Sequence, residues 1–173
     1  MTARSPQTPS TAAFAAKFRD AIRVGFQWDR FFAENWPVEL VTIETREALG
    51  RCYMPWYIGV AGEEVAYDHP EAAPMSLADV PKAVTLLNAE RRADISKYVD
   101  EFRAANGVVE FEAPTYAMSG DRYFILDCNH RLSALALSAE PFRVMLWNVC
   151  GPQDSGGLLD LIHFAPPQAV EKP

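Results

Sequence analysis

A chain of 173 residues that is 49% hydrophobic is long enough to bury one core and short for two. Its 23 acidic residues against 16 Lys and Arg leave a formal charge of −7, which repels nucleic acid and anionic membrane surfaces at long range. Duplex DNA is therefore disfavoured as a partner, no run of about 18 apolar residues is present to cross a membrane, and Cys52, Cys128 and Cys150 lack the paired spacing of a zinc site or a disulfide framework.

Reduced thiols in a cytoplasmic protein are the expectation, and no metal ligands are assigned. Residues 1–10, rich in Ser, Thr and Pro, read as a disordered leader without the apolar run of a secretory signal peptide; delivery by a specialised secretion system is compatible with the same composition. Phe14, Phe18, Ala21 and Ile22 recur at three and four, predicting a helix from Thr11 to about Val24 that Gly25 stops. Trp28, Phe31, Phe32 and Trp36 are expected to pack as core. Val38 to Ile43, rich in β-branched residues, predicts a strand, and Cys52 to Val60 a second one weakened by Pro55.

Ala61 to Pro74 is expected to be an exposed loop. Ser76 to Asp79 has the form of a capping box, so a helix is expected to start there. Ile95, Tyr98, Val99 and Phe102 fall at i, i+3, i+4 and i+7 within a helix from Ala93 to Ala105, closed by Asn106-Gly107; whether it continues back through Lys82 to Arg92 is left open. Strands follow over Val108 to Glu112, Thr115 to Met118 and Arg122 to Leu126, the last two joined by a Ser119-Gly120-Asp121 turn. A short helix from Leu132 to Ala139, a buried strand from Phe142 to Val149, a helix or strand from Leu158 to Phe164, and a frayed tail over 165–173 complete the chain. The whole reads as one α+β domain over 11–164, with a mixed arrangement of helices and strands.

The informative segment runs from Tyr123 to Leu135. A β-rich run ends at Asp127 and a helix opens around His130, so free backbone N–H groups and the positive end of the helix dipole converge, which suits an anion. Arg131 in the first turn disfavours the dipole slightly, which is easier to understand if its guanidinium grips a phosphate or carboxylate. His130 can donate to that anion or carry a proton. Asp127 can hold the loop, bind a metal or orient a hydroxyl. A plainer reading stands beside this one: Asp127 or Asn129 caps the helix, His130 packs against a neighbour and Arg131 pairs with a glutamate.

Asp127-Cys128-Asn129-His130-Arg131, followed by Leu132-Ser133-Ala134-Leu135, resembles the D-G-N-H-R-x-x-A-L box of the ParB/sulfiredoxin superfamily, over about Asp94 to Val149. The resemblance implies a ParB/sulfiredoxin-like core carrying an N-terminal helical extension. It implies phosphate contacts from Asn129, His130, Arg131 and Ser133, and a nucleoside di- or triphosphate with Mg2+ as cofactor or ligand. Asp127 and His130 would serve catalysis, with Glu44 as a carboxylate base on or beside a strand, in a small-molecule phosphotransferase or nucleotide hydrolase. Two departures matter. Cys128 replaces the usual glycine, and Asn129 stands where sulfiredoxin needs its cysteine. With 24 residues after Val149, the helix-turn-helix domain of the partitioning proteins, and chromosome partitioning with it, is not expected. A nucleotide or phosphorylated small molecule is thus the expected partner; the alternative is a degenerate member working through a protein partner, as an adaptor, immunity protein or exported effector.

Overall fold

The computed structural model describes residues 8–164, so most of the expected leader and the whole expected tail lie outside the described residues. Ser10 belongs to the fold: its side chain accepts from the Ala13 N–H and caps helix α1, Thr11–Phe18. Strands β1 (Val38–Ile43), β2 (Cys52–Ile58), β3 (Glu64–Val65), β4 (Ala73–Ser76), β5 (Val109–Met118), β6 (Arg122–Ile125) and β7 (Phe142–Val149) form one mixed sheet. Its order is β1-β7-β5-β6-β2-β3, with β4 also beside β2. The β5–β7 and β2–β6 ladders are parallel and the others antiparallel. The expected α+β class is therefore what the chain adopts.

Alternation along the strands divides the buried side chains between two faces. Ile43, Ala113, Ile125, Val144 and Leu146 belong to one core, closed by α3 (Arg46–Gly50), α4 (Val80–Ala83), α5 (Ala89–Ala105) and α6 (Asn129–Leu137). Val38, Tyr116, Met118, Phe124 and Val149 belong to the other, under α1 and α2 (Trp28–Ala33). There Phe14 packs edge-on to Phe31 at 5.4 Å between ring centroids, and Phe26 to Trp28 at 4.7 Å. Phe31 and Trp36 are core as expected and Trp28 is half-buried against them, but Phe32, on the outer face of α2, is 40% exposed.

The expected N-terminal helical extension is corrected. Residues before 90 supply β1 to β4 as well as helices, and β1 and β2 pair directly with β7 and β6, because their apolar faces can be buried only by joining the sheet. The expected loop from Ala61 to Pro74 likewise contains β3 and the start of β4.

Several boundaries move for identifiable reasons. Pro114 does not split the strand: its carbonyl accepts the Leu126 N–H at 3.0 Å, and β5 runs unbroken past it. The Ser76–Asp79 pairing forms, with Asp79 accepting from the Ser76 N–H and hydroxyl at 2.9 and 2.8 Å, but Ser76 ends a strand and the helix opens at Val80. Helix α5 begins afresh at Ala89, where Asn88 accepts from the Arg91 N–H, and ends at Asn106 in the left-handed conformation, φ 49°. Leu159–His163 is a 3-10 helix, anchored through the Phe26–Leu158 bridge.

Candidate functional site

β6 delivers the chain to Asp127, and Cys128 then turns it sharply into α6. Cys128 has φ 71° and ψ 23°, left-handed backbone that favours glycine and is adopted here by a cysteine. The first helical bond runs from the Leu132 N–H to the Cys128 carbonyl at 3.0 Å. The N–H groups of Asn129, His130 and Arg131 therefore have no carbonyl within the helix, and no side chain caps them.

This uncapped turn faces a cavity of about 540 Å³ walled by Asp127, Cys128, Asn129, His130 and Arg131. Residues far off in sequence complete it: Ala21, Arg23 and Val24 after α1, Pro55 and Trp56 on β2, and Arg91 and Tyr98 on α5. Three arginines and a histidine thus face a single carboxylate, Asp127, in a chain whose net charge is −7. Low-dielectric walls around like charges focus the field into such a cleft.

The cationic groups are held by aromatic rings. Arg131 lies 5.6 Å from the Tyr98 ring centroid and 5.8 Å from that of Phe111. Arg91 lies 4.6 Å from the Trp56 ring and donates to Glu64 at 2.7 Å. The His130 ring stands 5.1 Å from Trp56, with its Nε2 3.9 Å from Asp94. Burial pushes the His130 pKa below its ordinary value, against the opposing pull of Asp94, which suits a neutral imidazole able to accept a proton. The Cys128 thiol is pushed up to about 12 by burial and then by the neighbouring Asp127 carboxylate, so it is no nucleophile near neutral pH.

The box contains one orphan. Asn129 Oδ1 is buried without a hydrogen-bond partner, and a buried acceptor in that state costs about 1–3 kcal/mol unless something donates to it or coordinates it. Among the described residues no group of three or more His, Cys, Asp and Glu gathers to hold a metal by itself. Mg2+ needs less from a protein, since it keeps waters and takes one or two protein oxygens with the substrate's phosphates. Asp127 provides a carboxylate on the cavity wall and Asn129 an unsatisfied amide oxygen in the same turn, the kinds of donor that fit a magnesium ion carried in on a nucleotide.

Two expected site residues fall elsewhere. Ser133 is fully buried, its hydroxyl set against the Met54 sulfur, because position 133 of α6 faces the sheet. Glu44 does not line the cavity; it grips Arg143 at 2.6 Å on the exposed rim, where Arg143 also meets Glu110. Neither can touch an anion at the helix opening. The residues missed from sequence are Arg23, Arg91 and Tyr98. For α5 a signal existed, because Arg91, Ile95 and Tyr98 stand at i, i+4 and i+7 and share the inward face. For Arg23 there was none, since only the tertiary fold brings it near α6.

Comparison with family models, curated proteins and solved structures finds no match for this chain.

Proposed function

We propose that this protein binds a nucleotide or phosphorylated small molecule at the opening of α6, in a site like the phosphate loop of the ParB/sulfiredoxin superfamily. The observation that carries the reading is the uncapped first turn of α6 facing a cavity lined by Arg23, Arg91, Arg131 and His130. Backbone N–H groups and the helix dipole attract an anion, and the guanidinium forks match phosphate oxygens. The placement of the Asp127–Arg131 box between β6 and α6 supports the family relation.

Bound magnesium would neutralise phosphate charge as a leaving group departs. Around it, Asp127 and Asn129 would hold the metal, Arg131 and Arg91 would fix the phosphates, and His130 would accept or return a proton at its ring nitrogen. Phosphoryl transfer or hydrolysis is the chemistry this set can perform. The base cannot be Glu44, and His130 and Asp127 are the titratable groups in position.

The test is a thermal-shift screen against ATP, ADP, CTP, GTP and phosphate with magnesium, beside Arg131→Ala. A ligand at about 100 times its Kd stabilises the native state by roughly 2.7 kcal/mol, several degrees at this size. Stabilisation by one of these, lost in the variant, is the expected result. No shift with any of them removes the reading and leaves the protein-interaction alternative.

A further inference from the structure

A second cavity, of about 650 Å³, adjoins the first and shares Arg23, Val24, Pro55 and Arg91 with it. These four residues line both, so the two lie against one another as adjoining lobes. The second lobe is bounded by Val65, Ala66 and Tyr67 at the β3 end, and by Leu159 and Asp160 of the C-terminal 3-10 helix. Beside the shared Arg23 and Arg91 it carries two acids, Glu64 and Asp160, so its charges balance where those of the first lobe are mainly positive.

Both carboxylates are held in place. Glu64 accepts from the Asn88 N–H at 3.1 Å, from Asn88 Nδ2 at 3.2 Å and from Arg91 at 2.7 Å. Asp160 is only 4% exposed and accepts from the Tyr57 hydroxyl, whose ring lies 4.6 Å from that of His163. A buried carboxylate on a cavity wall is costly, and hydrogen-bond donors from a ligand offset that cost. An inorganic phosphate fills neither the volume nor these acceptors. Each lobe alone is within the size range of a small-molecule site, about 300–1,000 Å³.

We infer that the two lobes form one bipartite site, in which the anion sits at the α6 opening and the second lobe takes an organic body bearing hydroxyl or amino donors, read by Asp160 and Glu64. The inference rests on the anion-binding reading above and adds the class of ligand: a phosphorylated compound with a donor-rich body, not free phosphate or pyrophosphate. Arg91 links the halves, since the same side chain faces the anion lobe and fixes Glu64.

Isothermal titration of the full chain with pyrophosphate, ribose 5-phosphate, AMP and CMP tests this. Three variants serve: Arg131→Ala in the first lobe, and Asp160→Asn and Ala66→Trp in the second. Ala66 is exposed, so the indole narrows the lobe without entering the core, and circular dichroism checks that each variant is folded. At least one body-bearing ligand should bind tenfold or more tighter than pyrophosphate. Ala66→Trp should reduce that ligand to the pyrophosphate level and leave pyrophosphate itself unchanged, while Asp160→Asn weakens only the body-bearing ligand. If every phosphate binds alike and Ala66→Trp changes nothing, the second lobe is no subsite and the inference fails while the anion site stands. If nothing binds, or Arg131→Ala binds as well as the parent, the anion reading fails and takes the inference with it.

Discussion

The His130 imidazole and the Trp56 indole stand 5.1 Å apart, centroid to centroid, at the wall of the cavity at the opening of α6. Trp56 is itself nearly buried, so the contact places a titratable ring against an apolar surface. Burial disfavours the charged form, and the His130 pKa is lowered in consequence. The sign follows from linkage. The unfolded chain holds the His130 proton more tightly, so this group's contribution to stability is full above about pH 6.5, its ordinary pKa, and is lost as pH falls through the lower folded value. Thermal midpoints should drop between pH 7 and pH 5, and His130→Gln should flatten part of that drop. A saturating phosphate ligand, which favours the imidazolium, should flatten it too in the parent protein. Parallel pH profiles for parent and variant would show that His130 does not titrate against its surroundings.

How far the sequence led is clearest at the two ends of α6. The box was legible because strand, polar turn and apolar helix follow within a dozen residues, so the free N–H groups of that turn follow from local backbone chemistry. Its partners were not legible. Trp56 reaches the site because β2 pairs with β6, as Cys52 opposite Tyr123 and Tyr53 opposite Phe124, a ladder spanning some 70 residues of chain that no local pattern encodes. Ser133 and Glu44 erred in the opposite way: each had a suitable side chain near a suitable element, but facing was fixed by the sheet. The helix boundaries shifted for local reasons, as at Asn88, whose cap restarts α5 in a stretch with no strong breaker.

Cys128 gives a backbone test. A non-glycine residue in left-handed backbone costs roughly 1–2 kcal/mol, which glycine would recover. Against that stand the larger entropy of an unfolded glycine, about 0.5–1 kcal/mol, and the lost burial of a small thiol. Cys128→Gly should therefore lie within about 1 kcal/mol of the parent in urea denaturation and keep any phosphate binding. Cys128→Val should cost more, about 2 kcal/mol or above, because a β-branched residue is an outlier at φ 71°. Equal stability of the two variants would mean that the turn relaxes out of the left-handed region.

The thiols provide a chemical test. Burial raises Cys52 and Cys128 to about 12 and Cys150 to about 11, so the thiolate fraction is small at pH 8. Native protein should react slowly with a thiol-specific disulfide reagent, and unfolding in guanidinium should expose all three cysteines to rapid reaction. One fast equivalent in the native state, lost in Cys128→Ser, would instead mark Cys128 as an activated group on the cavity wall.

The Tyr57 hydroxyl and Asp160, which lines the second cavity, supply the last test. Burial raises the Asp160 pKa, and the Tyr57 hydrogen bond opposes the rise. Removing that donor should therefore raise the pKa further. A carboxyl whose folded pKa lies above its unfolded value supports stability fully below the unfolded pKa, near pH 4, and loses it as pH rises through the folded value. Tyr57→Phe leaves the carboxylate with one donor fewer, at a cost of about 1–3 kcal/mol near pH 7 that shrinks as pH falls and the group takes up its proton. Asp160→Asn removes the ionisation altogether and should flatten the same interval. Urea denaturation of the three proteins at pH 4, 5.5 and 7 separates the cases. A Tyr57→Phe deficit independent of pH would place its cause in packing around the ring rather than in the buried acid.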